Sequence, residues 1–97
     1  VPSHNFSRPR GRLVELTIDS AALRDNWLGD PHERSVAVYL PPGYADDGPP
    51  VPIFVALAAF GGSGFKLLNW QSFGENLPQR LDRLIAAGEM GPVVLVM

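Results

Sequence analysis

The residues with the most chemistry to offer lie in Ala56-Leu57-Ala58-Ala59-Phe60-Gly61-Gly62-Ser63-Gly64, an apolar run that opens into glycines. Glycine lets a backbone leave a buried strand with positive φ, and successive N–H groups can then converge on an anion. Three kinds of site use such a junction. A P-loop needs G-x-x-x-x-G-K-[ST], but Lys66 is followed by Leu67 and the first glycine is misplaced. A dinucleotide fingerprint needs G-x-G-x-x-G at a helix N-terminus. Gly62-x-Gly64 lacks the third glycine, and helical periodicity begins only about ten residues later. The third is an oxyanion loop, in which a main-chain N–H faces the negative oxygen of a tetrahedral intermediate. A glycine turn with no chemistry stays open beside it.

Other reactive side chains are sparse. Ser63, between Gly62 and Gly64, has neither the spacing nor the strand-turn-helix setting of a G-x-S-x-G nucleophile elbow. His4 sits in a polar N-terminal stretch, and His32 in a turn beside Glu33. Neighbours along an extended chain point to opposite faces, so both histidines are read as solvent-facing. Two scattered histidines make no metal site, and Asp46-Asp47 reads as a solvated loop pair. Cysteine is absent, which removes disulfides, thiolate metal sites and a Cys nucleophile. Trp27, Phe65, Trp70 and Phe73 are read first as core or loop anchors. Phe65 and Trp70 follow the glycines, and their alternative role is as the wall of an acyl or aryl pocket.

The elements that must hold these residues follow from periodicity. Residues 1–10, polar with two prolines, read as an extended arm. Gly11 to Ile18 alternates as a half-buried strand, and Ser20 to Leu23 prolongs it or forms a short turn. Arg24 to Glu33 carries Asn26, Gly29, Asp30 and Pro31, so the chain reverses there. Arg34 to Leu40 alternates again and should pair antiparallel with the first strand. Pro41-Pro42-Gly43-Tyr44 ends it, because proline cannot donate to a ladder. After the loop at 45–50, Val51 to Ala59 reads as a strand buried on both faces. A helix follows, with Asn76 as N-cap, Pro78 in the first turn and Gly88 at C′. Leu77, Leu81, Leu84 and Ile85 form its apolar stripe, and Gln79, Arg80, Asp82 and Arg83 its polar face. Pro92 to Met97 reads as a buried strand. The order β-β-β-α-β makes the last two strands parallel, joined by a right-handed helical crossover.

Composition narrows the function classes. With 45% hydrophobic residues, the 97-residue chain has material for a core. Eight basic residues against ten acidic ones give a net charge of −2, which argues against nucleic acid as a partner. No stretch reaches the roughly eighteen apolar residues of a membrane span, and no signal peptide is visible. The compartment does not follow: a cytoplasmic protein fits, and so does a secreted one whose upstream signal was removed. Gly91 to Met97 would leave a hydrophobic parallel edge if nothing followed it, so continuing chain or a second chain is expected to complete the sheet.

The segment from Leu28 to Tyr44, with Arg34-Ser35-Val36-Ala37-Val38-Tyr39-Leu40-Pro41-Pro42-Gly43-Tyr44 at its heart, resembles the putative-esterase family of α/β hydrolases. Enterochelin esterases, S-formylglutathione hydrolases and mycolyltransferase-like proteins belong to that family. Leu68 to Asp82 is similar to the connector and first helix of its bacterial branch, and the resemblance covers roughly residues 11–97. It implies an α/β fold in which residues 11–97 are the N-terminal portion of a hydrolase sheet. It also implies a parent serine esterase that cleaves an ester or thioester through an acyl-enzyme, without cofactor or metal. By the resemblance, Ala58 and Ala59 stand where the family commonly has His-Gly, and the Phe60 N–H is an oxyanion donor. The Cβ of Ala59 is then expected to crowd a tight turn. Gly61, Gly62, Phe65 and Trp70 would border the substrate. The nucleophile, acid and His would come later in the chain, so residues 1–97 alone would be inactive. Homo-oligomers are compatible with this reading. Two rivals stay open: a non-catalytic α/β-hydrolase-like binding or scaffold protein, and a complete small interaction domain.

Overall fold

The computed structural model describes residues 9–97. Most of the expected N-terminal arm, His4 included, lies outside the described residues. The elements are β1 (Arg12–Asp19), β2 (Glu33–Leu40), β3 (Ile53–Val55), α1 (Leu77–Ala86) and β4 (Val94–Val96), with short 3-10 turns at Ala21–Leu23 and Gly64–Leu68. They form one four-stranded mixed sheet in the order β1-β2-β4-β3.

β1 and β2 pair antiparallel from Arg12↔Leu40 to Asp19↔Glu33, as their alternation requires. β2 ends where Pro41 begins, and the Tyr44 N–H donates to the Pro41 carbonyl at 3.1 Å to close the turn. β3 and β4 run parallel, in register Ile53↔Val94 through Val55↔Val96, with α1 crossing between them. β4 also pairs antiparallel with β2, so the last strand in sequence is interior to the sheet.

Two expectations are corrected here. The edge strands are β1 and β3, not the last strand. The run from Val51 to Ala59 gives only three residues of strand, and all three side chains are exposed. The pairing with β4 runs one step past the strand, the Ala56 N–H donating to the Val96 carbonyl at 2.8 Å. With a neighbour on one side only, Ile53 keeps 68% of its surface.

α1 forms where its caps dictate. Asn76 accepts from the Gln79 N–H at 3.0 Å, the Gln79 side chain accepts from the Asn76 N–H at 2.8 Å, and Pro78 occupies the first turn. The Ala87 N–H closes the last turn onto the Arg83 carbonyl, with Gly88 beyond it. The apolar stripe delivers Leu81 onto Tyr39 and Leu95, the two largest fully buried side chains, with Leu77, Ile85 and Met90 around them. Register puts Leu13, Tyr39, Leu95 and Phe54 on this one face of the sheet. The opposite face carries Leu16, Val36, Val38, Val96 and Val55, and Leu16 and Val55 are at least half exposed.

Asp82 does not lie on the outer face of α1 with Arg80. It is only 5% exposed, and its Oδ1 accepts from the Tyr39 hydroxyl at 2.6 Å and from the Gly11 N–H at 2.9 Å. Gly11 must be glycine there, since a Cβ would lie 2.3 Å from the Leu40 carbonyl oxygen and 2.4 Å from the Tyr39 ring. Trp27 and Phe73, expected as anchors, are largely exposed.

Burial, and then the hydrogen bond to Asp82, hold the Tyr39 hydroxyl well above its ordinary value of 10.0, so it stays protonated and donates. A pKa raised in the folded state gives stability that is complete below the unfolded value and fades as pH rises past it. In the intact protein, Tyr39→Phe should cost about 1–3 kcal/mol of stability by urea unfolding at neutral pH. It should also flatten the loss of stability above pH ~10.

Candidate active-site groove

At the end of the β3–β4 pair the chain leaves the sheet through residues 57–64. The Gly62 N–H donates to the Ala59 carbonyl at 2.9 Å, closing a turn with Phe60 and Gly61 at its two central positions. Gly61 has φ +78°, which is the third residue of a type II turn. A Cβ added to Gly61 would meet nothing within 4 Å, so backbone angle and not space selects glycine there. Ala59 takes the first corner without a positive φ, so it carries no left-handed backbone strain there. The main-chain N–H groups of Phe60 and Gly61 donate no hydrogen bond within the described residues, and the Phe60 side chain is fully exposed.

This turn walls one side of an open groove of about 630 Å³, with Leu67 and the Leu77 and Arg80 side of α1 also lining it. Phe60, Gly61 and Gly62 are therefore brought together at the groove. Phe65 and Trp70 are not among its lining residues; they are 42% and 63% exposed, on the 3-10 turn and just after it. The Asn76 side chain donates to the Leu68 carbonyl at 3.0 Å, which fastens the connector to the start of the helix.

Charge in the groove is uneven. Glu75 is gripped by Arg83, with Nη2 at 2.7 Å and Nε at 3.1 Å, and Arg80 Nε lies 3.5 Å away. The Arg83 guanidinium, ahead of the other charges, holds the Glu75 carboxyl below its ordinary range. Lys66 lines the groove and makes no ion pair within the described residues. Sequence reasoning met Lys66 only as a misplaced P-loop lysine and passed over Glu75. Its partner Arg83 lies eight positions on, outside the three- and four-residue spacings that signal helical pairs.

Ser63 begins the 3-10 turn, its carbonyl accepting from the Lys66 N–H at 3.1 Å, and no histidine among the described residues lines the groove. His32 lies instead just before β2, where its Nδ1 is 2.8 Å from Asp19 Oδ1. Asp19 also pairs with Arg24, and chiefly through Arg24 its carboxyl is held below the ordinary range. No group of three or more candidate ligands that could hold a metal occurs among the described residues. No helix there is long and apolar enough to cross a membrane.

With this geometry in view, the chain can be set beside solved structures. It superposes on a serine-to-alanine mutant of the feruloyl esterase module from Clostridium thermocellum, complexed with sinapinate, at a TM-score of 0.74 and 24% identity. The likeness is one of fold. It covers 99% of this chain and 30% of that one, so the chain spans under a third of the esterase module's length. No protein-family model matches, and no curated protein does.

The turn makes its own prediction. Gly61→Ala should lower stability by about 1–2 kcal/mol, because a Cβ is strained at positive φ. Gly91→Ala, where a Cβ would meet no atom and φ is not positive, should be near neutral in the same urea titration.

Proposed function

We propose that these residues belong to a serine esterase and supply its oxyanion-loop region. The observation that carries this reading is the unbonded Phe60 N–H, in a type II turn at the end of a parallel strand, in a fold shared with an esterase module. In the proposed reaction a serine Oγ attacks the carbonyl of a carboxylic ester or thioester. A histidine takes the serine proton, and the oxyanion that forms is held by the Phe60 N–H and by the N–H after the nucleophile. The tetrahedral intermediate expels the alcohol or thiol, which leaves with that proton, and water then hydrolyses the acyl-enzyme. Nucleophile, acid and histidine are supplied from outside residues 1–97, as the G-x-S-x-G elbow does not occur in them. The same chain, continuing or second, covers the β3 edge and the sheet face opposite α1.

The turn offers a clean substitution. Proline is favoured at the second residue of a type II turn and removes the main-chain donor together with the Phe60 side chain. In the intact protein, Phe60→Pro should lower kcat for a p-nitrophenyl ester about 100- to 1,000-fold, while Phe60→Ala, which keeps the N–H, should lower it far less. Equal effects from the two variants would remove Phe60 from the reaction. Failure of the intact protein to react with a fluorophosphonate would favour a non-catalytic binding or scaffold role.

Residues 1–97 expressed alone should aggregate or require a second polypeptide, because the β3 edge and the apolar face stay open. A soluble monomer that unfolds cooperatively, seen by sedimentation and urea titration, would count against this assignment and for a complete small domain.

A further inference from the structure

Among the described residues the groove is lined by two cations, Lys66 and Arg80, against one carboxylate, Glu75, in a chain whose net charge is −2. Lys66 and Arg80 both line it, and the acidic group there, Glu75, is already held by Arg83 through three contacts of 2.7–3.1 Å. Glu75 therefore cannot neutralise Lys66, and it is shared by Arg83 and Arg80. The unbonded Phe60 and Gly61 N–H groups add partial positive charge on the same wall. Beside these groups stand the exposed side chains of Phe60 and Leu57, an apolar surface next to a cation.

We infer that the groove takes an ester with an apolar body and an anionic group away from the scissile carbonyl, held by Lys66. This rests on the esterase reading for the word ester, and on the groove's own charge for the anion. Lys66 is a specificity-determining residue and takes no part in bond making. Its attraction is Coulombic and partly exposed, so it weakens as salt rises.

The test uses amides, which stand in for esters without being turned over. Binding of succinanilate and of its neutral counterpart butyranilide to the intact protein is measured by calorimetry. A second pair, 4-acetamidobutyrate and N-butylacetamide, places the anion on the leaving side. In one of the two pairs the anionic member should bind at least about fivefold tighter. Lys66→Gln should abolish that preference. Arg12→Gln, which removes the same charge from exposed β1, should leave it intact. No preference in either pair, or a preference that survives Lys66→Gln, overturns the inference. A preference in a protein that never reacts with a fluorophosphonate keeps the anion site and sinks the esterase reading. Reaction with the fluorophosphonate but no preference does the reverse.

Discussion

One carboxylate oxygen holds the two halves of this fold together. Asp82 Oδ1 accepts from the Tyr39 hydroxyl and from the Gly11 N–H, and so joins α1 to the middle of the sheet and to the entry of β1. Buried carboxylates are costly unless they are hydrogen-bonded, and Asp82 recovers part of that cost through two donors. The arrangement admits few substitutes. Tyr39 must be large enough to reach the helix, and Gly11 must lack a Cβ to pass beside its ring. Leu81, next to Asp82, fills the space above Leu95, so hydrogen bonding and packing are fixed by the same turn of helix.

The groove depends on that attachment. α1 is seated by Asp82 and Leu81, and its N-terminal end presents Asn76, Leu77 and Arg80 towards the glycine turn. Asn76 serves both sides: its oxygen caps the helix and its amide holds the connector at Leu68. The turn at residues 59–62 is set by one hydrogen bond and one positive φ. Nothing in it requires the side chain of Phe60.

Much of the framework was legible because it rests on local rules. Alternation gave β1 and β2, and Asn76, Pro78 and Gly88 bounded α1 to within a residue or two. The parallel pairing of β3 with β4 followed from the crossover, but the interior place of β4 beside β2 did not. What escaped were properties that depend on distant neighbours. Val51 to Ala59 has the composition of a buried strand, but only Ile53–Val55 are strand and β3 has a single strand neighbour. Asp82 reads as polar surface until the helix is placed on Tyr39. A buried tyrosine on β2 needs a hydrogen-bond partner, and Asp82, four residues after Pro78 and three before Ile85, borders the apolar stripe. Phe60, Gly61 and Gly62, singled out by the resemblance, line the groove. The placement of Phe65 and Trp70 depends on a connector with no periodicity to read.

The interior position of β4 has a kinetic side. β1 and β2 can zip as a hairpin as soon as both are made, since their contacts are close in sequence. β3 is made well before β4 yet has β4 as its strand partner, so it must wait, apolar and unpaired, while the connector and α1 are synthesised. Pairing across that gap carries the loop-closure penalty that slows parallel sheets. Between the emergence of Ile53 and of Val96, β3 is thus open to chaperones and to misassociation.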